Sequence, residues 1–129
     1  MKIAAVTDDG KTISAHFGWA QYYLVLTVED GKVVAREMRE KANHQQGEDH
    51  QNHHGHGAGE HHHHGHNHGA MAEAVRDCQV VLTGGMGRPA YESLKLYGLE
   101  PIITSLRDID EAAQAFLAGN LRNQVERLH

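Results

Sequence analysis

The chain reads as a single α/β domain built on a mixed five-stranded sheet with helices on its faces. Three observations carry that reading. A hairpin signature, Asp30-Gly31, separates two strand-like runs. The second half alternates short apolar strands with helical periodicities, which implies parallel pairing through right-handed crossovers. Finally, the 129 residues include a long polar stretch in the middle. Setting it aside leaves roughly 100 residues, enough for one core and too few for two.

Taken in order, Lys2–Thr7 (KIAAVT) is apolar and reads as a buried first strand, ended by the turn Asp8-Asp9-Gly10. Tyr22–Val28 and Lys32–Met38 are the second and third strands, antiparallel neighbours because Asp30-Gly31 suits a two-residue turn with positive φ. Met71, Ala72 and Val75 form a short helical face, and Gln79–Thr83 is a further buried strand. Pro89 suits the first turn of a helix on which Ala90, Leu94 and Tyr97 recur at helical spacing, with Gly98 as its terminal glycine. Pro101–Thr104 makes the last strand. Asp108 with Glu111 three residues later resembles a capping box for a helix through Ala118, closed by Gly119. Leu121, Val125 and Leu128 suggest a final amphipathic turn or two.

Composition narrows the function. A formal charge of −5 with neutral histidines argues against nucleic acid as a partner. Protonating all thirteen histidines would turn that charge to +8, so the sign can reverse in acid. No apolar stretch approaches the ~18 residues of a membrane span, and no signal-peptide pattern precedes the first strand, so a cytoplasmic protein without a membrane partner is the expectation. The single cysteine, Cys78, excludes an intrachain disulfide and a cysteine-only zinc or iron–sulfur site within one chain. Its place at the amino end of a strand favours a structural thiol.

Residues 44–68 hold eleven of the thirteen histidines: His44, His50, His53, His54, His56, His61, His62, His63, His64, His66 and His68. Neutral imidazole is the commonest protein ligand for borderline transition metals, and a tract this dense offers many alternative ligand sets. A purification tag would sit at a terminus, whereas this tract is internal and broken by Gly, Asn, Gln and Glu. Its composition cannot bury enough apolar surface to offset ordering entropy, so residues 43–69 are expected to be a disordered, metal-capturing insertion.

Two further positions could carry chemistry. In VVLTGGMGRPA, Val80–Ala90, a strand stops, three glycines pass within four residues, and a helix begins. Glycines allow close approach to backbone amides, and a helix N-terminus favours an anion: a phosphate, a carboxylate or a metal–sulfur cluster. Gly84, Gly85, Met86 and Gly87 are therefore candidate binding residues, with Met86 expected as an exposed soft thioether. The loop lacks the Gly-Lys-Ser/Thr of a nucleotide-binding loop and is not a full dinucleotide fingerprint; a plain tight turn is the competing reading. The second position is His16 in Ser14–Gly18, expected at the same sheet edge as the glycine loop, or else an ordinary surface histidine. Asp8 and Asp9 could bind magnesium but more simply make a turn. No nucleophile–base–acid constellation stands out, and nothing compels an enzyme.

These segments carry a family resemblance. MKIAAVTDDGKTISAHFGWAQYYLVLTVEDGKVV with DCQVVLTGGMGRPAYESLKLYGLEPIIT resembles the dinitrogenase iron–molybdenum cofactor biosynthesis family of small nitrogenase accessory-type proteins. The resemblance implies a three-layer α/β/α fold of the ribonuclease-H-like kind without a nuclease's acidic set. It further implies a non-enzymatic carrier of iron–molybdenum cofactor or another metal–sulfur cluster, with a cofactor-assembly or recipient protein as partner. His16 and Gly84–Gly87 would flank the ligand. The dense His insert departs from the shortest family pattern. It keeps open a second function, storage or delivery of nickel, zinc, copper or cobalt ions by the tract. A nuclease or phosphoryl-transfer activity inherited from the fold is a third reading, and fold alone does not argue for it.

Overall fold

The computed structural model describes residues 1–41 and 69–129. The strands are β1 (Lys2–Thr7), β2 (Tyr22–Glu29), β3 (Lys32–Glu40), β4 (Val80–Thr83) and β5 (Glu100–Ile103), in the spatial order β3-β2-β1-β4-β5. β1 pairs antiparallel with β2 and parallel with β4; β2 and β3 are antiparallel, and β4 and β5 parallel. The sheet is thus mixed and five-stranded, as expected, with strand ends shifted by one or two residues. Asp30 and Gly31 both take positive φ, 53° and 76°, the backbone that the tight turn between β2 and β3 requires. A bulge between Thr27 and Val28 resets the register next to it.

Because side chains alternate across a strand, β1 feeds two cores. Ala4 and Val6 join Tyr23, Val25, Val81 and Ile103 on one face; Ile3 and Ala5 join Leu24, Leu26, Leu82 and Ile102 on the other. The first face is covered by a helical segment at residues 69–73 and by α1 (Arg88–Leu96), through Met71, Val75, Ala90 and Leu94. The second is covered by α2 (Ile109–Leu117), through Ile109, Ala112 and Ala113. Three layers result. β3 lies at the sheet edge and is largely exposed along its length, which its charged sequence tolerates.

Pro89 lies in the first turn of α1, and Gly98 follows the helix with φ 85°. Tyr97, expected on the buried face of α1, is instead its C-cap and is exposed. Likewise, the tail after α2 does not form an amphipathic α-helix. It runs irregularly to a short 3₁₀ turn, Val125–Arg127, with Val125 exposed while Leu121 and Leu128 pack against the cores. Asp108 caps α2 by accepting from the Glu111 amide at 2.8 Å. Asp108→Ala should therefore cost about 1 kcal/mol in a urea titration.

Candidate ligand site at the carboxyl edge of the sheet

β1 and β4 are parallel neighbours, so the chain leaves both at the same edge of the sheet, and β2, antiparallel to β1, begins there. The loop 8–21 and the loop 84–87 are consequently brought together. Phe17 N donates to Gly85 O at 2.9 Å, and Gly84 N donates to Ser14 O at 2.9 Å. Thr83, fully buried at the end of β4, donates through its hydroxyl to Gly85 O at 2.9 Å and accepts from Gly85 N at 3.3 Å.

The glycines are needed here for contact rather than for dihedral freedom. None of Gly84, Gly85 and Gly87 has positive φ. A Cβ on Gly85 would lie 2.7 Å from Ala15 O, and one on Gly84 would lie 2.9 Å from Ala15 Cα and from Ser14 O. The space that the missing side chain of Gly85 leaves is filled by the backbone of the neighbouring loop.

A cavity of about 320 Å³ opens at this edge, lined among others by His16, Trp19, Met71, Met86, Gly87 and His129. Gly85 also borders it, whereas Gly84 lies behind it against Ser14 and Ala15. Met86 corrects the expectation of an exposed thioether. It is 2% exposed, because its side chain is turned into the core that also holds Phe17, Met71 and Leu94 instead of facing solvent. The residue borders the cavity and packs the core at once.

His16 is exposed, and its backbone holds the loop: its N–H donates to Ser14 Oγ at 3.2 Å, and its carbonyl accepts from the Trp19 and Ala20 amides at 3.2 Å each. Among the described residues, its imidazole makes no hydrogen bond. At the start of α1, Arg88 N is taken by His129 O at 2.9 Å and Gly87 O accepts from Tyr91 N at 3.1 Å, and α1 has no side-chain N-cap. The Met86 and Gly87 amides have no hydrogen-bond partner among the described residues. The edge thus combines unpaired donors, an unengaged imidazole and soft apolar walls, a donor set suited to a large, polarisable anion.

The other candidates fall elsewhere. Asp9 Oδ1 accepts from the Lys11 and Thr12 amides at 2.8 and 2.7 Å; these bonds hold its carboxyl down to about 2 and commit it to the turn that Gly10 completes. Asp8 accepts from Gln21 N at 2.9 Å. Cys78 is buried at the amino end of β4, and burial, reinforced by neighbouring Asp77, pushes its thiol up to about 11. A thiol so placed is a poor cluster ligand. The eleven tract histidines, His44 to His68, lie outside the described residues. Among the described residues, no group of three or more His, Cys, Asp and Glu side chains is gathered for a metal ion. No described helix is long and apolar enough to cross a membrane.

Sequence reasoning missed Trp19, Met71 and His129 as parts of this edge. Trp19 is 53% exposed at the cavity, an unusual place for the chain's single tryptophan, and that singularity was the one available signal.

Fold and cavity together define a small α/β protein with a cavity at the carboxyl edge of its parallel strands. The chain belongs to the dinitrogenase iron–molybdenum cofactor family, whose model matches residues 1–119. Among solved structures it is similar to the protein PH0822, with 23% identity, 96% of each chain covered and a TM-score of 0.67. It is also similar to a provisionally described dinitrogenase from Methanocaldococcus jannaschii, with 17% identity, 94% of this chain and 91% of that one covered, and a TM-score of 0.62. The apo form of the orange protein from Desulfovibrio gigas matches with 22% identity, 95% and 91% coverage and a TM-score of 0.61. At these identities the likenesses establish the shared fold. No curated protein matches the chain.

Proposed function

We propose that the protein is a non-enzymatic, cytoplasmic carrier of an anionic metal–sulfur cluster, of the iron–molybdenum cofactor kind, handed to or from a cofactor-assembly or recipient protein. One observation carries this reading: His16, whose imidazole has no hydrogen-bond partner among the described residues, and Met86 and Gly87, whose amides likewise have none there, border one cavity. The family description supports the class of cargo. The donor set fits it in a particular way. With the only thiol at the far end of β4, the cluster is seated by amide donors and imidazole against Met71 and Met86 rather than anchored by thiolates. His16 contributes a nitrogen ligand to a cluster metal or a hydrogen bond to its negatively charged surface. The imidazoles of residues 44–68 add capture of nickel, zinc, copper or cobalt ions, which weakens as imidazoles protonate below about pH 6.5.

His16→Ala tests the site, with anaerobic tetrathiomolybdate as a soluble molybdenum–sulfur probe. Because the loop is held by main-chain bonds of His16, the variant should melt within about 2 °C of wild type, which is well under 1 kcal/mol for a domain of this size. Its affinity should fall roughly tenfold, the loss of one charge-assisted hydrogen bond or ligand. His16→Gln separates the two roles. Restored affinity indicates hydrogen bonding, and equal loss indicates ligation. Lower stability with unchanged affinity would reduce His16 to a loop residue. Tract binding is a separate prediction: replacing the eleven tract histidines by serine should remove most nickel bound at pH 7.5, and undiminished nickel would take the tract out of the account.

A further inference from the structure

The tail beyond α2 is pinned at three places. Ile103 N donates to Asn123 Oδ1 at 2.9 Å, Asn123 Nδ2 donates to Pro101 O at 3.0 Å, and Gln124 N donates to Ile103 O at 2.9 Å, which lays the tail along β5. Leu128 then packs against the core that holds Met86. Finally, His129 N donates to Met86 O at 3.3 Å and its carbonyl accepts from Arg88 N at 2.9 Å, across the start of α1. Bonds at Asn123, Gln124 and His129 fix the main chain of His129 at this edge, and His129, exposed there, lines the same cavity as His16. Like His16, the His129 imidazole makes no hydrogen bond among the described residues. The family match ends at residue 119, so this arm lies beyond the segment the chain shares with its family model.

We infer that His129 is a second imidazole donor of the cavity and that residues 120–129 are an arm that holds it there, so that a bound anion is gripped by His16 and His129 together. The inference rests on the ligand-site reading above. It adds a chain-specific element to it: the loop after β1 brings one imidazole, the tail brings the other, and the amides of Met86 and Gly87 lie between their attachment points in the chain's hydrogen-bond network. Ligands suited to such a grip are anions with several acceptor or metal faces, not a single carboxylate. A competing role for the tail is purely structural, a latch that covers the start of α1. That role uses the main chain of His129 and is indifferent to its side chain.

The experiment is an anaerobic titration of the full chain with tetrathiomolybdate, read from the ¹H–¹⁵N shifts of Met86 and Gly87, which report this edge alone. His129→Ala keeps both main-chain bonds and should leave the melting temperature within about 2 °C while weakening binding roughly tenfold. Asn123→Ala, which loosens the arm, should weaken binding in the wild-type background and have no further effect in His129→Ala, since both act through the same imidazole. Wild-type affinity in a well-folded His129→Ala, with His16→Ala still weakened, overturns the arm and leaves the site standing. Met86 and Gly87 resonances that do not move with the wild-type chain overturn the site itself. The two failures are therefore told apart in one series.

Discussion

Gly85→Val should destabilise the fold by about 3 kcal/mol or more, enough to lower the melting temperature by well over 10 °C in a domain of this size. The new Cβ alone meets Ala15 O at 2.7 Å, a backbone atom that cannot swing aside as a side chain would. Moving that backbone disturbs the Phe17 N–Gly85 O bond and the packing of Phe17 in the core. Gly85→Ala should already show much of the loss. Circular dichroism melts of both variants measure it. A valine variant that melts like wild type would mean that the two loops are not in contact, and the geometry of the site would have to be redrawn. The same clash makes Gly85→Val unsuitable as a probe of ligand binding, because lost binding would follow from lost structure.

Lys41 carries the second large expected effect, on the pH dependence of stability. Its side chain is 2% exposed; Nζ donates to Ala20 O at 3.1 Å and lies 4.6 Å from the Phe17 ring centroid and 6.0 Å from that of Tyr23. Burial lowers its pKa from the ordinary 10.5 to about 7, partly opposed by the charge of Asp8. Between about pH 7 and 10.5 the unfolded chain then holds a proton at Lys41 that the folded chain has released, so stability rises with pH. Two groups act the other way at higher pH. Burial raises Tyr23 above its ordinary 10.0, and Cys78 is pushed from 9.0 to about 11, so each withdraws stability as pH climbs past its unfolded value. The window that reports Lys41 is therefore pH 7 to 9. Unfolding free energy should rise there by up to about 1 kcal/mol per pH unit. In Lys41→Met that rise should vanish. Denaturant titrations at several pH values decide it, and an equal slope in both proteins would contradict the burial of a titrating ammonium at the base of the site loop.

Local chemistry explains what could be read from the chain and what could not. The β2–β3 hairpin was legible because Asp30-Gly31 encodes its own backbone, and the observed φ values are those the pair favours. The Asp108 cap and the glycine that ends α1 were legible for the same reason. His16 and the glycine loop could be assigned to one edge because strand direction alone puts them there. The purpose of Gly85 was not legible: its missing side chain makes room for Ala15, seventy residues earlier in the chain. Met86 looked like a polar-turn position occupied by a soft group, and only the packing of α1 on the sheet shows it turned inward. Lys41, at the charged end of an edge strand, gave no sign of covering Phe17. The place of His129 at this edge was not legible, because it depends on anchors at Ile103, Met86 and Arg88. Each failure is a contact between distant segments, and no periodicity or turn signature records such contacts.

What the protein carries is measured most directly by its composition as the cell loads it. Purified anaerobically from its native cells, the protein should carry inorganic sulfide together with iron or molybdenum, and His16→Ala should carry much less of all three. Nickel, zinc or copper bound through nitrogen alone, with no sulfide in the wild-type protein, would contradict a cluster carrier and leave the histidine tract as the functional element.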